Sequence, residues 1–161
     1  MTQKVVIPLT ILFLIIIFFS TNGAISTFDF EPLNYLANNF VHADLSHLLT
    51  NAIGLWQLKN LSQNMSQIKI LKLMIIIWFL STFILYLFHY LFPQVKKQTI
   101  GFSGIVLGLI IISEYLDSGK LFKVTRNNLL LILPHFFIPD ISFSGHLAGV
   151  ISGVIVSSFM I

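Results

Sequence analysis

Three short polar stretches interrupt an otherwise apolar chain: HADLSHLLTN at 42–51, GFSG at 101–104 and SGHLAGVISG at 144–153. The second places the hydroxyl of Ser103 between two glycines, and the third contains His146. A serine that gives its proton to a histidine becomes a nucleophile able to attack a carbonyl carbon. At the start of a helix, free backbone N–H groups and the positive end of the helix dipole also suit a developing oxyanion. Ser103 and His146 therefore predict nucleophilic catalysis.

A complete triad needs a carboxylate behind the histidine. Glu114 is the only acid inside an apolar segment, but it lies eleven residues beyond Ser103. That separation is about 16 Å along a helix, too far for Glu114 to orient His146. Asp140, six residues before His146 in a loop, stays open as an alternative. The residues favour a Ser–His dyad.

The elements that carry these residues are predicted to be membrane helices. Hydrophobic residues make up 56% of the 161 residues and charged residues only 9%, which is typical of an integral membrane protein. Six apolar segments follow one another, at 5–19, 45–61, 73–92, 101–116, 128–138 and 144–161. We expect an all-α polytopic membrane protein, a compact bundle of six transmembrane helices in one domain over residues 1–161. No small-residue cleavage site follows the first segment, so we expect an uncleaved helix there.

The distribution of lysine and arginine predicts the orientation of the bundle. With a cytoplasmic N-terminus, the cytoplasmic side receives seven basic residues, and the other side receives only Lys96 and Lys97. The seven are Lys4, Lys59, Lys69, Lys72, Lys120, Lys123 and Arg126. Six spans then place both termini in the cytoplasm of a multi-pass protein, which we expect in the cell membrane. The second, fourth and sixth segments all begin at the outer face, so their polar residues converge on one layer.

Glycine spacing explains how Ser103 and His146 could meet. Glycines recur every four residues in the fourth and sixth segments, at Gly104, Gly108, Gly145, Gly149 and Gly153. Small residues at this interval let two membrane helices approach closely, and Ser103 and His146 each adjoin one of these glycines. His47 and Asn51, four residues apart on the second segment, share one helix face.

The three stretches resemble the rhomboid intramembrane serine proteases in order, spacing and segment. The family's His-x4-His-x3-Asn motif fits His42, His47 and Asn51. Its Gly-x-Ser-Gly motif fits Gly101 to Gly104. Its sixth-helix histidine followed by glycine fits His146 and Gly149. The resemblance implies that Ser103 is the nucleophile and that an oxyanion hole is formed by His47, Asn51 and the Ser103 backbone N–H. It further implies that His42 supports the first loop. We expect Gly101, Gly104 and Gly149 to support the site through the turn and the helix packing.

The same resemblance implies the substrates and exposes one departure. Rhomboid substrates are transmembrane segments of other membrane proteins, which enter laterally from the lipid bilayer and unwind locally. Family members usually carry Trp-Arg in the first loop, where this chain has Leu33 and Asn34. Because that pair steadies the loop in the family, its absence is the one point in favour of an alternative hypothesis, a catalytically silent rhomboid-like protein that binds transmembrane helices. Such relatives typically lack the serine or the histidine, so the presence of both Ser103 and His146 argues against this alternative.

A third hypothesis is a metal site built from His42, His47 and His146. The sequence has no His-Glu-x-x-His motif, no cysteine and no carboxylate at the same depth to complete such a site, so this hypothesis ranks last. The sequence has no polar stretch in which basic residues alternate with aromatic residues, which argues against nucleic-acid binding. We expect no cofactor, no metal and no nucleic-acid partner.

The candidate residues also have purely structural interpretations. Ser103 alone could bond back to a helix carbonyl, and His47 and Asn51 could join helices as polar contacts. The co-occurrence of the motifs favours catalysis over both. For His42, which lies beside Asp44 in a loop, a structural hydrogen bond is the favoured interpretation.

Three further predictions concern positions outside the motifs. His89 is predicted to be interfacial, at the outer end of the third segment. His135, directly after Pro134, is interpreted as filling a local backbone irregularity. The stretch 59–72 is predicted to be a solvated cytoplasmic loop.

Overall fold

The computed structural model describes residues 5–21, 31–58, 61–95, 99–138 and 141–160, and no β-strand occurs among them. In chain order the helices are α1 (Val6–Thr21), α2 (Glu31–Asn38), α3 (Leu45–Gln57), α4 (Leu61–Asn64), α5 (Gln67–Leu91), α6 (Ser103–Ser118), α7 (Leu121–Ile132) and α8 (Phe143–Met160). Short 3₁₀ turns follow α5 and α7, at Pro93–Val95 and Leu133–Phe136. The all-helical prediction is confirmed. Predictions that rest on Lys4, Lys59, Lys96, Lys97 and Asp140 lie outside the described residues.

Within the described part of the chain, α5 is the one helix long and apolar enough to cross a membrane by itself. It has 25 residues and a mean hydropathy of 2.3 in its most apolar window. The helix α1 and the Phe143–Phe159 part of α8 are apolar but shorter. A 16-residue helix such as α6 reaches only about 24 Å, against a hydrocarbon core of ~30 Å. The six-span topology and the cytoplasmic termini therefore stay a prediction.

The fifth apolar segment forms a helix with other bounds than predicted. Helix α7 begins and ends earlier than the predicted 128–138. Its buried residues, Val124, Asn128 and Ile132, recur every four positions, which is the spacing of one helix face. Pro134 cannot continue the α-helix, because it lacks an N–H and its ring clashes with the carbonyl four residues earlier. The chain therefore tightens into a 3₁₀ turn at that point.

The prediction of a solvated loop at 59–72 is wrong for the residues that the structure describes there. Helix α4 and the first turns of α5 occupy this stretch, and Leu61 and Ile70 are both buried in the core. Ser66 caps α5, because its side chain accepts a hydrogen bond from the Lys69 backbone N–H at 3.3 Å. A capped helix that buries apolar side chains is stabilised locally and by packing.

Helix α2 lies in the predicted first loop and is attached to α5 by side-chain hydrogen bonds. The Trp78 Nε1–H donates to the Leu36 carbonyl at 3.1 Å. The Asn39 Nδ2–H donates to the Thr82 hydroxyl oxygen, also at 3.1 Å. The first loop is therefore anchored to the longest helix of the bundle.

His89 lies in the last turn of α5 and is buried, 4% exposed; its position at the membrane interface stays a prediction. Its Nδ1 lies 2.9 Å from the Tyr35 hydroxyl, and its Nε2 lies 3.0 Å from Ser144 Oγ. Ser144 Oγ is 3.2 Å from Ser142 Oγ, which is 2.7 Å from Thr99 Oγ1. This series of hydrogen bonds joins α2, α5 and α8 and satisfies polar groups that would be costly to bury alone.

Among the described helices, α6 and α8 make the most extensive contact. A methyl group at Gly149 would overlap the Gly104 carbonyl, and one at Gly153 would lie 2.6 Å from the Gly108 carbonyl oxygen. The two backbones therefore touch, as the glycine spacing predicts. Around this contact, α3, α5 and α6 contribute fully buried apolar side chains, among them Leu55, Ile77, Ile105, Leu109 and Ile112.

Candidate active site

Ser103 and His146 meet at the N-terminal ends of two neighbouring helices. Ser103 is the first residue of α6, and His146 lies in the first turn of α8. The His146 Nε2 is 2.9 Å from the Ser103 Oγ, which is a hydrogen-bond distance. The approach is possible because the helices nearly touch here: a methyl group at Gly104 would lie 3.0 Å from the Gly145 carbonyl oxygen. The structure thus brings the two predicted residues together.

The N-terminus of α6 lies beside the Ser103 hydroxyl. Phe102 precedes the helix and makes no side-chain cap hydrogen bond, so its side chain does not satisfy the first N–H groups of α6. Those donors and the positive end of the helix dipole are the groups that stabilise negative charge. The start of α6 is therefore suited to an oxyanion.

His135 is the residue of this site that the sequence interpretation missed. It lies on the 3₁₀ turn after α7, and its Nδ1 is 2.7 Å from the Nδ1 of His146. The two ring centroids are 4.7 Å apart at an interplanar angle of 61°. The available signal was weak: a second histidine shortly before the sixth segment, with no motif around it. Within the described residues, the hydrogen-bond partners of the His146 ring are Ser103 and His135.

The acid considered for a triad is used elsewhere. The Glu114 Oε2 accepts a hydrogen bond from the Asn128 Nδ2–H at 2.9 Å, between α6 and α7. Asp140, the alternative, lies outside the described residues. The side of His146 remote from Ser103 is occupied by an imidazole.

His47 packs directly over the turn that precedes α6. Gly101 has a φ of +101°, a conformation that favours glycine. A methyl group there would overlap the His47 ring. The Gly101 N–H donates to the Asn38 carbonyl at 2.9 Å, which holds the turn against the end of α2. Glycine is required at this position both by the backbone conformation and by the contact with His47.

Asn51 lies one turn beyond His47 on α3 and is buried, 3% exposed. Its Nδ2–H donates to the His47 carbonyl at 3.1 Å, which orients the side-chain amide. Asp44 starts the helix, because its carboxylate accepts a hydrogen bond from the His47 backbone N–H at 2.7 Å. His47 and Asn51 are therefore held on one face of a capped helix, and both line the space beside Ser103 and His146.

His42 is fully buried, but the structural hydrogen bond predicted for it is not found among the described residues. The Asp44 carboxylate caps α3, and neither ring nitrogen of His42 has a hydrogen bond of ordinary geometry to the described residues. Its ring packs edge-to-face on His47, with centroids 5.1 Å apart. Burial, and then the neighbouring His47 ring, lower the pKa of His42 from 6.5 to about 4, against a weaker opposing effect of the Phe40 carbonyl.

One cavity of about 960 Å³ joins these residues. Its lining includes Ser103, His146, His135, His47, Asn51 and Gly101. It therefore combines a hydroxyl, its histidine partner and several hydrogen-bond donors in one space, an arrangement that suits acyl transfer. Among the described residues, no three histidine or acidic side chains are grouped to hold a metal ion, so the metal hypothesis gains no support from the geometry.

Comparison with known proteins points to one family. A family model described as the Rhomboid domain matches residues 29–161. A protein of Acanthamoeba polyphaga mimivirus, whose name assigns it provisionally to the rhomboid proteins, is 39% identical over 155 residues. The match covers 95% of this chain and 89% of the viral protein. No solved structure gives a significant match.

Proposed function

This chain belongs to the rhomboid family, and from that membership we propose that it is an intramembrane serine endopeptidase. It cleaves transmembrane or membrane-proximal segments of other membrane proteins through Ser103 and His146. The observation that carries the proposal is the 2.9 Å contact between His146 Nε2 and Ser103 Oγ. A serine hydroxyl hydrogen-bonded to an imidazole is the minimal machinery of acyl transfer.

The reaction begins with attack of the Ser103 Oγ on the carbonyl carbon of the scissile peptide bond. The serine proton moves to His146 Nε2, and the π electron pair of the carbonyl moves onto its oxygen. His146 then gives this proton to the amine nitrogen while the oxyanion re-forms the carbonyl and the C–N bond breaks, which leaves an acyl-enzyme. A water molecule loses a proton to the same Nε2 and attacks the acyl carbon. The carbonyl re-forms again, the bond from carbon to Ser103 Oγ breaks, and His146 returns the proton to Ser103.

Three donors stabilise the oxyanion: the Ser103 backbone N–H and the side chains of His47 and Asn51. The Asn51 amide already donates one N–H to the His47 carbonyl, which fixes its plane and leaves the second N–H for the substrate. Donors of this kind typically contribute about 10²–10³-fold each to the rate. His42 supports His47 from behind, through the edge-to-face contact of their rings.

In this proposal the enzyme is a multi-pass protein of the cell membrane. One face of α5 exposes a row of large apolar side chains, spaced four residues apart, at Ile75, Phe79, Phe83 and Leu87. A row of this kind suits contact with lipid. A helical substrate keeps its amide groups hydrogen-bonded and shielded, so it must unwind locally before Ser103 can attack.

The second candidate function is a catalytically silent rhomboid-like protein that binds transmembrane helices. Leu33 and Asn34, in place of the usual Trp-Arg, favour it. The hydrogen bonds that attach α2 to α5 argue against a loosened first loop. The two candidates differ in one measurable property, the reactivity of the Ser103 hydroxyl.

Labelling of the detergent-purified protein with a fluorescent fluorophosphonate separates the two candidates. We expect the parent to be labelled and Ser103→Ala and His146→Ala to remain unlabelled. Ser152→Ala is the matched control, because Ser152 is fully buried in α8 and its hydroxyl donates to the Ala148 carbonyl at 2.7 Å. This control should be labelled like the parent. A folded parent without label would contradict the protease proposal and favour the helix-binding candidate.

A further inference from the structure

His135 lines the cavity and contacts the ring of His146, but the reaction described above does not use it. Its Nδ1 lies 2.7 Å from the Nδ1 of His146, whereas Ser103 contacts the other nitrogen of the same ring. We propose that His135 is a positioning residue that accepts a hydrogen bond from His146, in the place that a carboxylate holds in a Ser–His–Asp triad. This inference rests on the proposed function, because it needs His146 as the base.

Only one of the two protonation patterns that fit the contact between the histidines leaves His146 able to act as the base. To accept the Ser103 proton, His146 must have a bare Nε2 and therefore carries its hydrogen on Nδ1. The short Nδ1–Nδ1 contact then requires His135 to accept at Nδ1 and to carry its own hydrogen on Nε2. The opposite pattern would protonate His146 at Nε2 and remove the base. A partner that can accept at this position therefore favours the reactive tautomer.

The turn that carries His135 is held against α8 by a second contact. The Phe136 ring packs edge-to-face on the Phe143 ring, with centroids 5.5 Å apart and an interplanar angle of 89°. Phe143 is the first residue of α8, one turn before His146. Because Phe136 adjoins His135, this aromatic contact places the His135 ring at a defined distance from His146.

The proton balance of the step involves no transfer to His135. When Ser103 Oγ bonds to the carbonyl carbon, its proton moves to His146 Nε2, and the ring becomes an imidazolium. The hydrogen on His146 Nδ1 stays there and strengthens its bond to His135 Nδ1, since hydrogen bonds from charged donors are the stronger ones. His135 thus lowers the energy of the charged intermediate without taking up the proton.

Three variants of His135 test this role by the rate of fluorophosphonate labelling, resolved into the maximal rate kinact and the affinity KI. His135→Asn keeps an acceptor, because the Oδ1 of asparagine is bonded to Cγ as the Nδ1 of histidine is. His135→Leu has the shape of that variant without the acceptor, and His135→Phe keeps a ring without nitrogen. We expect kinact to fall about tenfold for the Leu and Phe variants and to stay within about threefold of the parent for Asn, with KI unchanged. Phe137→Ala, an exposed neighbour on the same turn, is the control and should react like the parent.

The outcomes separate this inference from the proposed function. An unlabelled parent would remove the proposed function itself. A labelled parent with all three variants at the parental rate would overturn the role of His135 alone. Equal losses in Asn, Leu and Phe would also overturn it, because the loss would then not follow the acceptor. Melting temperatures of the variants in detergent verify that each rate belongs to a folded protein.

Discussion

At the scale of single residues, the site relies on histidines whose two nitrogens have separate tasks. His146 directs Nε2 to Ser103 and Nδ1 to His135. The buried His89 also forms a hydrogen bond through each nitrogen. A ring bound at both nitrogens has a defined orientation. His42 differs, because it is buried without a hydrogen bond of ordinary geometry to the described residues.

The buried position of His42 predicts acid sensitivity of the fold. Its pKa in the folded protein is lowered from 6.5 to about 4. Between these values the unfolded chain binds a proton at His42 that the native protein does not, so unfolding takes up a proton. The contribution of neutral His42 to stability is therefore complete above pH 6.5 and is lost as the pH falls towards 4.

Thermal unfolding in detergent at a series of pH values checks this prediction. We expect the melting temperature of the parent to fall between pH 7.5 and pH 5, and His42→Asn, which does not titrate, to show a smaller fall. The other histidines titrate in both proteins, so the difference between the two slopes reports His42. Equal slopes would contradict the assignment.

Residue types and spacing were sufficient to predict most of the side chains that meet in the cavity, but one of them was missed. Ser103, His146, His47 and Asn51 each belong to a recognisable motif on a predicted helix, and the structure brings them to one space. His135 has no motif. Its contact depends on the 3₁₀ turn after Pro134 and on the packing of Phe136, neither of which a periodicity of apolar residues encodes.

At the scale of secondary structure, the distance between Ser103 and His146 is set by two glycine-lined helices in direct contact. Neither helix could carry a side chain at the contact without moving away, since a methyl group at Gly149 would overlap the Gly104 carbonyl. The contact between α6 and α8 thus controls both the stability of the fold and the geometry of the proposed dyad. A substitution in this contact is expected to change both at once.

Gly149→Ala is predicted to separate α6 from α8. Overpacking of this kind costs about 1–3 kcal/mol of stability, and a displacement of ~1 Å between the reacting groups lowers the rate by about a hundredfold. We therefore expect a lower melting temperature in detergent together with a strongly reduced rate of fluorophosphonate labelling.

Gly119→Ala is the matched control for this substitution. Gly119 has a φ of +65° but no atom within 4 Å of an added methyl group. The same chemical change there costs about 1 kcal/mol of backbone strain and should leave the labelling rate unchanged. If Gly149→Ala reacted at the parental rate, the helix contact would not control the Ser103–His146 distance.

The helices themselves were predictable to different degrees. Long apolar runs located α1, α5 and α8, because hydropathy alone distinguishes them. The bounds of α7 were not predictable in the same way, since its buried face contains Asn128 and its first turns carry Lys123 and Arg126. Helix α2 was missed because polar and apolar residues mix in a short segment that is held by distant partners on α5.

At the scale of the whole molecule, buried polar contacts connect parts of the chain that a membrane topology alone would not join. The His89 series links the first loop to the end of α5 and to the start of α8, next to His146. The first loop, where the family's Trp-Arg pair is missing, is anchored through these bonds and through Trp78. Family membership fits both candidate functions, so the choice between an active enzyme and a silent helix binder depends on the reactivity of Ser103.

The location of the covalent adduct tests the central claim, that Ser103 is an activated nucleophile, most directly. The fluorophosphonate-treated protein is digested, and the modified residue is identified by mass spectrometry. The proposed function predicts one phosphonyl group per chain, on Ser103, in the parent and in Ser152→Ala, and none in His146→Ala. A group on another serine, or a folded parent that remains unmodified, would contradict the claim.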